Sequence, residues 1–277
     1  MLHFEDYIKT AYGSSIRCLG TGNGYPSSRR GHSCYLYDLD GVRFLIDCGE
    51  PASCNFKRNR INWNAPKAVI VSHLHFDHSG GLFMLLQGFW LERRKEPLKI
   101  YLPQDGIKPI EELLRAASFV PEIISFEYEF IPIREGETVQ IGDVVVMPVL
   151  NSHYDSFKAQ VGDRYGFKYE SFSFLIRKGD LKIAHTADVG SIKDVERLVE
   201  NGVDTLVCEL SHIKPEELFE LVASKKPRLL VLVHLDGRYR AGVKELLTNA
   251  EKMLSDVKCI VPDDGMEIYI QTKKAVD

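Results

Sequence analysis

The sequence has no apolar run long enough to span a membrane, no excess of positive charge and no Cys-x-x-Cys pair. A membrane-spanning helix needs roughly 20 apolar residues, and acidic Glu5 and Asp6 stand where a secretory signal needs a basic start. Lys and Arg number 35 against 39 Asp and Glu, a formal charge of −4, so the overall charge does not favour a polyanionic partner. We therefore expect a cytoplasmic protein with a small-molecule partner and no membrane partner.

The six cysteines have no spacing typical of a redox or metal-binding motif and lie among apolar runs. Buried free thiols are the simplest interpretation, and they fit a reducing compartment. No internal repeat, low-complexity segment or linker interrupts the 277 residues. Residues 1–277 are therefore predicted to form one domain with a large core.

A dense cluster of metal-ligating residue types lies between positions 73 and 78. His73, His75, Asp77 and His78 follow the apolar run 68–71. Imidazole nitrogen and carboxylate oxygen suit Zn²⁺ and its first-row neighbours, and a loop after a strand fans such side chains outward. A histidine-rich surface turn is the simpler alternative, but the density of the cluster favours a metal site.

Three further donors lie far from this cluster in similar local settings. His153, Asp188 and His234 each come where an apolar, strand-like run ends. In layered α/β proteins, sites are assembled in the loops beyond the carboxyl ends of strands, so distant ligands can converge there. The pattern predicts a single site that contains all seven residues.

The order His-x-His-x-Asp-His, then His, Asp and His, resembles the metallo-β-lactamase superfamily of metal-dependent hydrolases. The resemblance covers most of the chain and is closest to ribonuclease Z and related phosphodiesterases, including the cyclic phosphodiesterase branch. It rests on the blocks LGTGNGYP at 19–26, LIDCGE at 45–50 and HLDGRY at 234–239.

The resemblance implies a role for each donor. Three residues would bind a first divalent ion: His73, His75 and His153. Three others would bind a second: Asp77, His78 and His234. Asp188 would bridge both ions, and Asp47 would orient a ligand without binding metal. Zinc is the expected metal, with manganese or iron as alternatives, and such a pair activates water for phosphodiester hydrolysis.

Two departures from ribonuclease Z concern the substrate and the proton donor. Ribonuclease Z has a His-Glu-Ala-Thr motif whose histidine is thought to help the leaving group, whereas residues 208–211 read Cys-Glu-Leu-Ser, with His212 displaced along the loop. Residues 154–187 also lack the Gly/Pro-rich, basic arm of many bacterial ribonucleases Z. His212, Glu209 or a water is the candidate proton donor, and Asp77 is expected to hold the attacking water.

Basic residues in the matching blocks are candidate contacts for a substrate phosphate. Arg29, Arg30 and His32 lie beside the first block, and Arg238 lies in the last. A polar loop is the alternative for residues 27–32. The glycines at 20, 22 and 24 lack the strand-to-helix setting of a nucleotide fingerprint, so close backbone approach near the metals explains them better.

Apolar periodicity divides the chain into two similar halves. Strands are predicted at 15–19, 33–37, 42–46, 68–71 and 98–102, and again at 126–133, 144–150, 172–176, 181–184, 205–208 and 229–233. Helices are predicted at 82–90, 107–117, from 191, from 215 and at 243–254. Helices outside two sheets give an α/β fold, the four-layered αβ/βα metallo-β-lactamase sandwich. Segment 51–66 is interpreted as a loop or short helix near the site mouth.

The favoured function is a dinuclear metal-dependent phosphodiesterase for small or cyclic phosphodiesters such as cyclic nucleotides. Ribonuclease Z, with RNA as substrate, is the alternative, and a lactone, thioester or β-lactam hydrolase ranks lower. The complete set of metal-ligating residues argues against a fourth alternative, a nonenzymatic scaffold that has lost its metals. Helix 82–90 has more large apolar residues, including Phe83, than a narrow core-facing stripe needs, which predicts a homodimer contact, with core packing as the alternative.

Overall fold

The computed structural model describes residues 13–270. In chain order the strands are β1 Ser14–Gly20, β2 Cys34–Leu39, β3 Val42–Ile46, β4 Ala68–Ile70, β5 Leu98–Leu102, β6 Tyr128–Pro132, β7 Val139–Ile141, β8 Val144–Leu150, β9 Phe172–Lys178, β10 Leu181–His185, β11 Thr205–Leu210, β12 Leu229–Leu235, β13 Lys258–Ile260 and β14 Glu267–Ile270. The helices are α1 Ala52–Arg58, α2 Phe76–Ser79, α3 Leu82–Leu91, α4 Gln104–Ala116, α5 Asp155–Val161, α6 Ile192–Leu198, α7 Pro215–Lys225, α8 Gly237–Ala241 and α9 Val243–Met253.

The strands form two seven-stranded sheets, ordered β14-β1-β2-β3-β4-β5-β6 and β13-β12-β11-β10-β9-β8-β7. In the first sheet β1 to β3 pair antiparallel and β3 to β6 pair parallel. In the second, β7 to β10 pair antiparallel and β10 to β13 pair parallel. Parallel strands such as β12, covered on both faces, read as continuous apolar runs, and all seven residues of β12 are buried.

Three apolar clusters hold the layers together. Because successive side chains in a strand point to opposite faces, Phe44 and Ile46 of β3 join the cluster between the sheets, whereas Leu45 joins the outer cluster beneath α1 and α3. A third cluster packs α6, α7 and α9 on the second sheet, with Phe219 among its members. This arrangement confirms the predicted four-layered sandwich.

Most predicted elements are present within a few residues of their expected ends. The elements that were not predicted, which include β7, β13, α2, α5 and α8, have only three to seven residues, too few for a periodic signal. Segment 51–66 contains the short helix α1. Its Phe56 contacts Trp63 with ring centroids 5.2 Å apart and Phe89 of α3 at 5.8 Å, so the segment belongs to the outer layer of the core.

All six cysteines are free, as predicted. Cys18, Cys34, Cys48 and Cys208 are buried and Cys259 is partly buried, but Cys54 is exposed on α1, so the prediction of burial was wrong for Cys54. Burial raises the pKa of the Cys208 thiol well above its usual value, which makes it a poor nucleophile. Between residues 13 and 270, no helix combines the length and apolar character needed to cross a bilayer.

Arg94 is a fully buried arginine next to α3. Its guanidinium donates hydrogen bonds to the carbonyl oxygens of Trp63, Pro66, Glu96 and Pro97, at 2.6 to 3.0 Å. Burial lowers its pKa to about 10, so the group stays charged at neutral pH. One side chain therefore ties segment 63–66 to the turn that precedes β5.

We expect Arg94→Met to lower the free energy of unfolding by about 3 kcal/mol or more, because it removes the charged donor of several buried carbonyls. Urea denaturation would measure the change. The matched control is Arg93→Met, which removes the charge of an exposed neighbour and should change stability by no more than about 0.5 kcal/mol. Equal effects of the two substitutions would contradict this role of Arg94.

Candidate metal centre

The seven predicted donors converge at one edge of the two sheets. His73 and His75 follow β4, His153 follows β8 and Asp188 follows β10. These strands end at the same edge, so their loops meet there. The donors form two groups, each with ligand atoms within 4.8 Å of one another.

The first group contains His73, His75 and His153. Nδ1 of His75 lies 3.1 Å from Nε2 of His73 and 3.2 Å from Nε2 of His153. Burial lowers the pKa of His73 well below its usual value and that of His153 to about 4. These two rings are therefore neutral at pH 7, the form in which imidazole offers a lone pair to a metal.

The second group contains Asp77, His78, Asp188 and His234. Nε2 of His234 lies 3.0 Å from Oδ2 of Asp77 and 3.3 Å from Nε2 of His78. Oδ1 of Asp188 lies 3.2 Å from Nε2 of His78 and 3.4 Å from Nε2 of His234. Although burial opposes it, the charges of His234 and His78 hold the pKa of Asp188 well below its usual value, so it is a carboxylate.

Asp188 lies between the two groups. While its Oδ1 faces the second group, its Oδ2 lies 4.0 Å from Nε2 of His153 in the first. Oδ1 is buried and, among the described residues, makes no hydrogen bond. A buried, ionised oxygen without a hydrogen bond is costly unless a cation occupies the space that it faces.

The donor set fits two divalent ions. Around a tetrahedral ion with Zn–N distances of about 2.0–2.1 Å, neighbouring ligand atoms lie roughly 3.3 Å apart. The nitrogen-to-nitrogen separations in the two groups are 3.1, 3.2 and 3.3 Å. Imidazole and carboxylate ligands at these separations suit Zn²⁺, Mn²⁺ or Fe²⁺.

Asp47 supports the second group from behind. Its carboxylate, which is fully buried, accepts a hydrogen bond from Nδ1 of His78 at 2.7 Å, and bonds from the amide and hydroxyl of Ser72 at 2.8 and 3.0 Å. These bonds fix the ring of His78 so that Nε2 faces the other donors. This is the orienting role that the resemblance implied for Asp47.

Asp194, which sequence analysis did not identify as functional, connects two donor-bearing loops. Its carboxylate accepts hydrogen bonds from the amide and hydroxyl of Ser152, at 3.2 and 2.6 Å, and from the amide of Gly190 at 3.0 Å. Ser152 precedes His153, and Gly190 lies two residues after Asp188. The only sequence signal was its place in the first turn of the helix that begins after Ser191.

His234 lies within β12, not beyond its end as the sequence suggested. Val233 pairs with Glu209 and Leu235 with Leu210, so His234 is an extra residue at a β-bulge. Its φ of 50° lies in the left-handed region, which non-glycine residues rarely adopt. Bulges beside active sites redirect side chains, and this one turns a strand residue toward Asp77.

The structure brings His212 and Glu209 to the same centre. Glu209 is buried, and its Oε1 accepts a hydrogen bond from Nδ1 of His212 at 3.0 Å. Although burial opposes it, this carboxylate raises the pKa of His212 to about 9. Nδ1 of His212 lies 3.9 Å from Oδ2 of Asp188, whereas Cys208 packs in the outer core.

The four residues predicted to contact a substrate phosphate differ in their exposure and in their bonds to the protein. Arg30 donates to the hydroxyl of Thr21 at 2.6 Å and pairs with Asp263, so its guanidinium is engaged by the protein. Nδ1 of His32 lies 2.8 Å from the carbonyl oxygen of Asn23. Arg238 is exposed and donates to Asp236 at 2.9 Å, and Arg29 is also exposed. Substrate binding by these residues stays a prediction.

The glycines near the site are needed for close approach, as predicted. A Cβ on Gly20 would lie 1.8 Å from the carbonyl oxygen of His32, and one on Gly24 would lie 3.2 Å from Oδ2 of Asp77. The glycine block therefore packs directly against a candidate ligand.

Comparisons with known proteins agree with this fold. The chain is 28% identical to the ribonuclease Z of Metallosphaera sedula over 287 residues, covering 89% of this chain and 95% of the relative. The metallo-β-lactamase fold protein YhfI from Bacillus subtilis has a TM-score of 0.71 at 18% identity, covering 92% of this chain and 98% of that one. The short form of human tRNase Z has a TM-score of 0.69 at 21% identity, covering 93% and 100%.

These likenesses confirm the predicted superfamily, its ribonuclease Z-like character and the class of metal-dependent hydrolase. A family model described as Anti-Pycsar protein Apyc1 matches residues 14–245, which is well over half of the sequence. The chain therefore belongs to the Anti-Pycsar protein Apyc1 family.

Proposed function

We propose that this chain is a dinuclear phosphodiesterase that hydrolyses small or cyclic phosphodiesters such as cyclic nucleotides. The observation that carries the proposal is the position of Asp188 between two groups of imidazole and carboxylate donors. When bound, a pair of divalent ions supplies an activated water near neutral pH and offsets charge on a phosphoryl group. Zinc is the proposed metal, in a cytoplasmic enzyme.

The side chains around the two groups have distinct proposed roles. Asp77, a carboxylate beside His234, would accept a hydrogen bond from the attacking water and orient it. His212, whose Nδ1 is held by Glu209, would donate a proton through Nε2 to the leaving oxygen. Glu209 is a positioning residue, because it is buried behind His212.

A small substrate is favoured over transfer RNA because residues 154–187 have no basic insert. This stretch contains α5, an irregular segment, β9 and β10. The likeness to ribonuclease Z over 89% of the chain nonetheless keeps transfer RNA processing as the second candidate.

A substrate screen would decide between these functions. The zinc-loaded protein should hydrolyse bis(p-nitrophenyl) phosphate and members of a cyclic nucleotide panel, and the chelated protein should hydrolyse neither. Cleavage of precursor transfer RNA, without turnover of cyclic nucleotides, would support ribonuclease Z instead. Turnover of lactones, thioesters or β-lactams alone would overturn the phosphodiesterase proposal.

We expect His212→Ala to lower kcat on a cyclic nucleotide by about 10²–10⁴-fold, because an alkoxide leaving group needs a proton. The same variant should lower kcat on bis(p-nitrophenyl) phosphate by less than about tenfold, because p-nitrophenolate leaves without one. Steady-state kinetics on the two substrates would test this. Equal losses on both would contradict the role of proton donor.

We also propose that the chain forms a homodimer through the outer face of α3. Leu82, Leu85, Leu86 and Phe89 are buried in the chain's own core, so core packing explains most of the helix. Met84 and Leu91 lie one heptad apart on its outer face and are 55% and 63% exposed. These two residues, and not the partly buried Phe83, suggest a contact with a second chain.

Light scattering at micromolar concentration should give about twice the 31.5 kDa chain mass. Replacing Met84 and Leu91 together by Lys should give a monomer, because two charges from each chain would have to be buried in the contact. A monomeric wild-type protein with full activity at that concentration would contradict the proposal.

A further inference from the structure

A cavity of 570 Å³ opens beside His75, a ligand of the candidate first ion. One wall comes from α3 and α4, with Phe83 and Leu113, and the opposite wall comes from residues 154–170. The volume is within the range of about 300–1,000 Å³ that is typical of small-ligand pockets. Nothing in the proposed chemistry uses this space.

Aromatic rings line the cavity from the metal centre to its mouth. The ring of Tyr154 lies 4.8 Å from that of His75 and 6.1 Å from that of Tyr169. Tyr169 in turn contacts Phe157 at 5.2 Å and Phe167 at 5.9 Å. Phe157 and Phe167 are 42% and 47% exposed although they are large and apolar, which is typical of a surface that binds a partner.

The charges of the cavity favour a neutral, planar ligand. Among residues 13–270 its lining contains no Lys or Arg, and its acidic residues there are Asp105 and Glu170, so a phosphate is disfavoured in it. Asp105 of α4 accepts hydrogen bonds from the backbone amides of Lys168 and Tyr169, at 2.7 and 3.0 Å. These bonds attach the aromatic segment to α4 and keep the cavity preformed.

We propose that this cavity binds the base of a nucleotide whose phosphodiester lies at the metal centre. The inference rests on the proposed function and deepens it, because it assigns the base of the substrate to a particular cavity beside the metal centre. A base has two π faces that stack on aromatic side chains irrespective of its identity, and each such stack contributes on the order of tenfold or more in affinity. The phosphate would stay with the metals, outside the acidic cavity.

The test compares a cyclic nucleotide with its baseless analogue, the 3′,5′-cyclic phosphate of 1-O-methylribose. Both are used as nonhydrolysable phosphorothioates, and their dissociation constants with the metal-loaded protein are measured by calorimetry. Phe157→Ala and Phe167→Ala should each weaken nucleotide binding by about tenfold and leave the baseless analogue within twofold. The control is Tyr165→Ala, since Tyr165 is exposed in the same segment but does not line the cavity; it should change neither constant.

Equal weakening of both ligands, or no effect on either, would overturn the base site while leaving phosphodiester hydrolysis intact. A fall in the mass of the two Phe variants from dimer to monomer would also overturn it, because the surface would then bind a second copy of the chain. Failure of the wild-type protein to hydrolyse any phosphodiester would instead refute the proposed function. The dissociation constants of the variants would still test the base site in that case.

Discussion

We expect His234→Ala to lose one of two bound metals preferentially and to reduce phosphodiesterase activity by about 10³-fold or more. The substitution removes the imidazole that faces Asp77, His78 and Asp188, so the second group loses a donor while the first keeps all three. Loss of the electrostatic contribution of one ion costs several kcal/mol in the transition state, and each 1.36 kcal/mol is tenfold in rate. Metal content per chain and kcat measure the two effects.

The reciprocal variant is the control for this placement. His73→Ala alters the first group and should deplete the ion bound there, whereas His234→Ala should deplete the ion of the second group. The absorption spectrum of added cobalt should therefore differ between the two variants, because each retains a different site. Thermal unfolding of the chelated proteins would establish that both variants are folded. Unchanged metal content and activity in His234→Ala would contradict the role of His234.

We expect Asp188→Asn to have the larger effect, reducing metal content to one ion per chain or fewer and activity by about 10⁴-fold or more. Asn has nearly the shape of Asp but no negative charge, and Asp188 is the residue whose two oxygens face different donor groups. Both ions therefore lose the same anionic ligand, whereas His234→Ala alters one group only.

A matched substitution separates this effect from a general loss of charge. Asp143→Asn removes a carboxylate on the turn between β7 and β8, where it pairs with Lys178 at 3.1 Å, and should leave activity and metal content within twofold. Retention of two metals and near-normal kcat in Asp188→Asn would contradict the view that Asp188 joins the two groups.

The sequence contained enough information to predict the layers and the convergence of the donors, because both depend on local patterns. The run 68–71 and the donors that follow it sit where a parallel strand ends, and this placement is visible in the sequence. Buried strands such as β12 are continuous apolar runs for the same reason, since both their faces are covered.

Features that depend on tertiary contacts could not be predicted. The bulge at His234 exists because β11 and β12 pair with a shifted register, and nothing in the run 229–235 indicates it. Asp194 connects the loops of His153 and Asp188 only once the two loops are adjacent. The aromatic cavity likewise needs α4 and residues 154–170 to meet, through the hydrogen bonds that Asp105 accepts.

The most direct test of the central claim is stepwise reloading of chelated protein with zinc, with bound metal and cyclic nucleotide hydrolysis followed together. The two donor groups that share Asp188 predict that hydrolysis rises as zinc is bound and reaches its maximum at two ions per chain. Full hydrolysis by the metal-free protein, or no hydrolysis when two ions are bound, would contradict the account.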